Sequence, residues 1–251
     1  MLFIKDLIPK LEMISIKKKK LAILIPAAGK GVRANLQYPK TLHPINRIPI
    51  IVRIIKKISK YSDCISIVIN KKNDNHFKKT LSKFKISKIE FLYQNKAKGM
   101  GDAVLKYFKS KNYTKISDII LIWGDIPFLT RSSIDKLLRT HIIDDNFMTI
   151  LSKNVSNPYT YILKDKKDIV CNVIETHKTL NKYNYGERDI GVFIFKKELL
   201  IHLIKKHNFK RKEHNFLYIV NKLYSLGYKI KSLPIAKYKE TVSLNSLSDL
   251  K

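Results

Sequence analysis

Short, almost wholly apolar runs recur through the first half of the chain, separated by longer stretches with helical spacing. The runs are LAILIPA (21–27), CISIVIN (64–70), IEFLY (89–93), DIILIWG (118–124) and FMTILS (147–152). A strand with apolar side chains on both sides must be covered on both faces, which is the habit of parallel sheets rather than of half-solvated hairpins. Between the runs, RIPIIVRIIKKISKY (47–61) places Ile50, Ile51, Ile54, Ile55 and Ile58 at helical spacing. GDAVLKYFKS (101–110) and SSIDKLLRTH (132–141) read as helices too, the latter with Ser132 or Ser133 as its cap. This alternation predicts an α/β fold: a Rossmann-like, mainly parallel mixed sheet between helical layers. The second half is less regular. YTYILK, DIVCNVIE and IGVFIF read as strands, 196–207 and 213–227 as helices, the second closed by Gly227, and YKIKSLPI as a last strand. With no internal repeat and no linker composition, the division expected is an N-terminal extension over 1–20 and one domain over 21–251.

Charge is the other strong bias. Fifty Lys and Arg against twenty Asp and Glu give a formal net charge of +30, a field that draws polyanions. Only seven of the fifty are Arg, and the lysines are spread along the whole chain. Nucleic-acid interfaces rely on Arg for bidentate contacts, so the charge is read as a compositional bias towards Lys, Ile and Asn. No stable nucleic-acid partner is expected. Cys64 and Cys171 lie in apolar runs and read as small core residues, which suits a reducing, cytoplasmic location. No apolar stretch approaches the ~20 residues of a membrane span. Lys5, Asp6, Lys10 and Glu12 interrupt any signal-peptide core in the first twenty residues. A helical or loose extension is expected there, with a membrane-surface helix ahead of Lys17–Lys20 as the alternative.

The chemistry is concentrated in IPAAGKGVRANLQYPKTLHP (25–44), directly after the first strand. Ala27, Ala28, Gly29 and Gly31 keep the turn small enough for backbone N–H groups to approach a ligand, and Pro26, just before them, is expected at the nucleotide with Ala27, Ala28 and Gly29. Such groups can surround phosphate oxygens, and Arg33 and Lys40 add two cations suited to a triphosphate that must lose pyrophosphate. The spacing is neither that of a Walker A loop nor G-x-G-x-x-G.

This loop resembles the L-A-A-G-x-G-x-R … P-K motif of the nucleotidyltransferases of the GT-A-like fold. Its continuation PKTLHPI is most similar to the uridylyltransferase domain of bacterial N-acetylglucosamine-1-phosphate uridylyltransferases, and the resemblance extends over most of 21–251. QNKAKGMGDAVL (94–105) resembles the family's base-contacting segment, which implies that Gln94 reads a base edge and that Gly99 and Met100 lie against the nucleotide. IWGDIPFLT (122–130) resembles the strand ending in Gly-Asp, so Trp123 and Gly124 are implied at the nucleotide and Asp125 as a Mg2+ ligand. Glu175 in VIETHK matches a glutamate that holds sugar hydroxyls, and Asp189 in DIGVFIF stands in the place of an Asn at the sugar. SLNSLSDL (243–250) resembles a Gly-Val-Asn segment, which makes Asn245 the second metal ligand.

Several positions depart from the family pattern. Met100 replaces a Thr, Tyr159–Leu163 lack an expected glycine, Asp189 replaces Asn, and Tyr218 falls where a helix usually carries Asp. All but Met100 lie in the sugar half. The bifunctional members carry a further acetyltransferase β-helix, which these 251 residues do not contain.

The resemblance implies an enzyme that uses UTP, Mg2+ and N-acetylglucosamine 1-phosphate, in precursor synthesis for cell wall and lipopolysaccharide. Lys40 and Arg33 would offset phosphate charge, and no general base is required because the nucleophile is already an anion. His43 is accordingly read as structural. Two alternatives stand: another transferase of the same fold using CTP or GTP, and a non-catalytic basic nucleic-acid-binding protein on a degenerate transferase fold. Homo-oligomerisation is left open.

Overall fold

The computed structural model describes residues 20–29, 36–96, 98–205 and 214–244. Its core is a seven-stranded sheet in the order β11-β7-β10-β6-β1-β4-β5. The strands involved are β1 (Leu21–Pro26), β4 (Cys64–Ile69), β5 (Ile89–Tyr93), β6 (Asp118–Ile122), β7 (Met148–Ser156), β10 (Tyr185–Lys196) and β11 (Ile230–Leu233). Every pairing is parallel except those of β10, which runs antiparallel to both β6 and β7. The expected mixed, mainly parallel sheet is therefore present.

β1 shows why the sequence reads as it does. All six residues are buried, and the strand's two-residue period divides them. Leu21, Ile23 and Ile25 join one apolar layer with helices α1 (Ile50–Ile58), α2 (Asp74–Lys83) and α4 (Arg131–Ile143). Ala22 and Leu24 join the opposite layer with α3 (Met100–Leu105), α5 (Leu199–Lys205) and α6 (Ile219–Ser225). The chain runs β1, β4, β5 outward to one edge, then returns to place β6 on the other side of β1. The strand order thus reverses beside β1, and a ligand crevice opens at such a point outside the carboxyl ends of the strands.

Several boundaries differ from expectation. The helix read over 47–61 begins only at Ile50, because Asn46 and Arg47 take φ of 49° and 64° in a tight turn joining β2 (Pro44–Ile45) to β3 (Ile48–Pro49). That pair of left-handed residues matches the primed turns that suit a two-residue hairpin. Arg53 in α1 donates from Nε and Nη2 to the Ile45 carbonyl and ties helix to hairpin. The helix expected over 101–110 is α only for Met100–Leu105 and continues as a 3-10 turn over Lys106–Lys109. α4 is capped by Thr130, whose hydroxyl accepts from the Ser133 N–H at 3.2 Å, and not by Ser132 or Ser133. α2 buries only Phe77 and Leu81, too few apolar anchors to stand out in the sequence. Cys64 and Cys171 are both half-buried, and Cys64 packs against the second apolar layer, at its margin rather than inside it. β7 and β10 run longer than read, and β8 (Thr160–Lys164) pairs with β9 (Val170–Glu175) as a hairpin packed on β10. No helix among the described residues is long and apolar enough to cross a membrane.

Candidate active site

Five segments meet at the carboxyl ends of β1, β4, β5 and β6, and backbone hydrogen bonds fix their order. Ala27 N–H donates to Val68 O at 2.7 Å, and Gln94 N–H to the next carbonyl, Ile69 O, at 2.9 Å. The turn after β1 and the segment after β5 therefore flank the end of β4. Gly124 N–H donates to Pro26 O at 3.1 Å, Trp123 N–H to Gly191 O at 2.9 Å, and Leu244 N–H to Asp125 O at 3.0 Å. Those bonds draw the β6 end, the β10 bulge and the C-terminal segment onto the same crevice.

Gly124 is required by this closeness. A Cβ there would lie 2.7 Å from Pro26 O and 3.0 Å from Thr41 Cγ2. Lys40 opens the 3-10 turn Lys40–Leu42, and its Cε lies 4.0 Å from where a Gly29 Cβ would stand. Its ammonium forms an ion pair with Asp125 Oδ2 and donates to the Leu244 carbonyl at 3.2 Å. The two side chains remain 19% and 15% exposed, so the pair borders solvent rather than core.

The segment after β5 is equally ordered. Gln94 Nε2 donates to Gly99 O at 3.1 Å and to Asp102 Oδ2 at 2.8 Å, while Lys106 Nζ donates to Asp102 Oδ1 at 3.2 Å. Gly99 adopts φ 90°, a conformation that favours glycine. Met100 is half-buried and packs on the adjoining apolar layer. Trp123 is half-buried, its ring set 6.0 Å from that of Phe193 and against Gly191, where φ is 75° and a Cβ would meet the indole at 2.6 Å.

In the other half, Glu175 ends β9 opposite Thr160 of β8 and pairs with Lys178. Asp189 sits at the β10 bulge, 2% exposed. Its Oδ2 accepts from the Thr160 hydroxyl at 2.6 Å and its Oδ1 from Gly191 N–H at 2.9 Å. Burial pushes this carboxyl above the ordinary carboxylate range, against the lowering pull of those two bonds. Asp189, which stands where the family has an Asn, is thus bonded to Thr160, within the 159–163 stretch that lacks the expected glycine.

Arg33 and Asn245 lie outside the described residues, as does Gly31. Sequence reasoning passes over three positions that bond to the candidate site residues. Asp102 was read only as part of a helix, Thr160 only as part of a strand, and Leu244 contributes through its backbone, which side-chain reading does not see.

Residues 23–173, more than half of the chain, match the MobA-like NTP transferase domain. The chain belongs to this family. It is a nucleotidyltransferase. Among curated relatives, Bifunctional protein GlmU of Buchnera aphidicola subsp. Schizaphis graminum is 29% identical over 235 residues, covering 91% of this chain and 49% of that protein. Bifunctional protein GlmU of Pseudothermotoga lettingae is 25% identical over 197 residues, covering 77% and 42%. The chain thus spans about half the length of these curated relatives. In fold it is similar to a putative glucose-1-phosphate thymidylyltransferase from Bacillus anthracis, with a TM-score of 0.74 at 17% identity and 92% of each chain covered. The inositol-1-phosphate CTP transferase of T. maritima gives 0.73 at 15% identity, covering 93% of this chain and 92% of that one.

The donor set at the Lys40 corner suits a hard cation. The Asp125 carboxylate and the Leu244 carbonyl are oxygen donors, and a cation, the Lys40 ammonium, already bridges them. Among the described residues no group of three or more His, Cys, Asp or Glu gathers, at this corner or elsewhere. A site with few protein oxygens is how Mg2+ is held when substrate phosphates complete its shell.

Proposed function

We propose that this nucleotidyltransferase joins UTP to a sugar 1-phosphate and releases pyrophosphate, with N-acetylglucosamine 1-phosphate the foremost sugar substrate. The observation that carries this reading is the meeting of Lys40, Asp125 and Leu244 at the crevice beside the glycine turn.

An oxygen of the sugar 1-phosphate attacks the α-phosphorus, the bond from that phosphorus to the bridging oxygen breaks, and pyrophosphate leaves. The nucleophile is already anionic, so the protein positions and neutralises rather than abstracting a proton. Pro26, Ala27, Ala28 and Gly29 line the triphosphate. Lys40 turns its ammonium from Asp125 to the phosphate oxygens, and Arg33 adds a second cation against the charge of the departing group. Gln94, Gly99 and Met100 bound the base, with Trp123 and Gly124 closing the floor. Glu175 meets the sugar hydroxyls, and Asp189 shapes the wall beside them. Asp125 and Asn245 would hold Mg2+, which supplies charge neutralisation across the reacting phosphates when bound.

The test is incubation of the purified chain with Mg2+, a panel of UTP, CTP, GTP and dTTP, and a set of sugar 1-phosphates, monitoring pyrophosphate. UTP with N-acetylglucosamine 1-phosphate should give the fastest release. Preference for another triphosphate would move the chain to a different substrate class, and no release from any pair would reject catalysis.

A further inference from the structure

We propose that Asp102 is a positioning residue that sets base selectivity by fixing which end of the Gln94 amide faces the nucleotide; this rests on the nucleotide-binding reading above. A carboxamide has a donor end and an acceptor end of nearly equal shape, so its orientation follows from its neighbours. The two groups behind Gln94 are the Gly99 carbonyl and the Asp102 carboxylate, and both only accept. Turning the amide round would set its oxygen against two other oxygens. The NH2 end is therefore held inward, at 3.1 Å and 2.8 Å, and the Oε1 end is turned away from them.

Oε1 has no hydrogen-bond partner among the described residues and is not one of the fully buried orphaned atoms. It is an acceptor of fixed direction, on a residue only 7% exposed, beside the segment that follows β5 into the crevice. Lys106, one helical turn beyond Asp102, donates to the other carboxylate oxygen at 3.2 Å and steadies it.

A fixed acceptor discriminates between bases by their edges. Uracil presents N3–H, a donor, beside the O4 acceptor. Cytosine reverses that order, with N3 an acceptor beside an amino donor. Gln94 Oε1 would accept from uracil N3–H and oppose cytosine N3, and the Gly99 N–H, unbonded among the described residues, can serve O4. Asp102 touches no substrate in this arrangement. It acts through Gln94.

The experiment measures Kd for UTP and for CTP in Mg2+ by calorimetry, on the wild-type chain and on Asp102→Leu, Asp102→Asn and Lys106→Met, each checked by thermal melting. Leu removes the acceptor, leaving Gly99 O alone to orient the amide, and the CTP-to-UTP ratio of Kd values should fall about tenfold, as for one lost directional hydrogen bond. Asn keeps an oxygen for Gln94 while losing the charge and the Lys106 pair, so its ratio should stay within about twofold of wild type, as should that of Lys106→Met. A merely electrostatic or structural role would move Asn and Leu alike. If Asp102→Leu does not fold, Asp102→Ala serves in its place. An unchanged ratio in the apolar variant, an equal fall in Asn, or a wild type that binds UTP and CTP alike overturns the inference. A wild type that binds neither triphosphate overturns the nucleotide-binding reading instead.

Discussion

Lys40 and Asp125, separated by 85 positions in the chain, form an ion pair at the carboxyl ends of the central strands. One comes from the turn that follows β1 and the other from the end of β6, the two strands between which the order reverses. On the proposed reading, this cation and anion, which neutralise each other at rest, exchange partners once phosphates enter.

Lys40→Met and Asp125→Asn should each lower turnover by about a hundredfold, the usual scale for a lost charge-stabilising group. The double variant should be little worse than either single one, because the two residues act as a unit. Pyrophosphate release under saturating substrates measures all three. Near-normal rates in both single variants would reject their roles.

Asp189 gives a pH signature. Burial raises its folded-state carboxyl above the unfolded value, so its protonated form suits the folded chain. The stability it contributes is fully present below the unfolded carboxylate range and is lost as pH rises towards the raised folded value. Asp189→Asn keeps the shape, with an amide able to donate to Thr160 Oγ1 and accept from Gly191 N–H. The variant should melt about 2–4 °C above wild type at pH 8, with the difference closing by about pH 4, below or near the unfolded pKa. Melting curves across that range that stay parallel would contradict it.

Glu240 is fully buried and accepts from Thr130 N–H at 2.7 Å, Ser133 Oγ at 2.8 Å and Lys237 N–H at 2.7 Å. It clamps the segment leading to Leu244 onto the start of α4. Glu240→Ala would strand three donors and should destabilise the chain by about 3 kcal/mol in urea titration. It should also reduce activity by loosening Leu244 from Asp125. A loss under about 1 kcal/mol would show that water replaces the carboxylate.

Gly124→Ala tests the closeness of β1 and β6. Its methyl would lie 2.7 Å from the Pro26 carbonyl, a backbone atom that cannot swing aside. A destabilisation of about 1–3 kcal/mol is expected from such overpacking, with a fall in turnover because Asp125 is the next residue. Wild-type melting and rate together would show that the strand ends yield freely.

The strands were readable because both of their faces are apolar: β5 was read over the residues it occupies, and β1, β4 and β6 differ from their expected spans only at the carboxyl ends. The helix ends were less readable. α1 was read too long because the Asn46–Arg47 turn depends on two left-handed residues with no glycine to announce them. α2 was not seen, since Phe77 and Leu81 alone carry its buried face.

At the site, local pattern supplied Lys40, through a glycine turn after a buried strand, and put Asp125 at a strand's carboxyl end, while Gln94 and the metal role of Asp125 came from the family resemblance. Asp102 behind Gln94, Thr160 on Asp189 and Leu244 across Asp125 were not legible, since they join residues 8, 29 and more than a hundred positions apart by orientation rather than by spacing. The chain by itself thus determined which segments become strands and which loops carry cations and carboxylates, through periodicity and backbone freedom. The tertiary structure alone decided which end of the Gln94 amide is held by Gly99 and Asp102 and which carboxyl is buried, because a hydrogen bond's direction is set by partners that only folding brings within 3 Å or so.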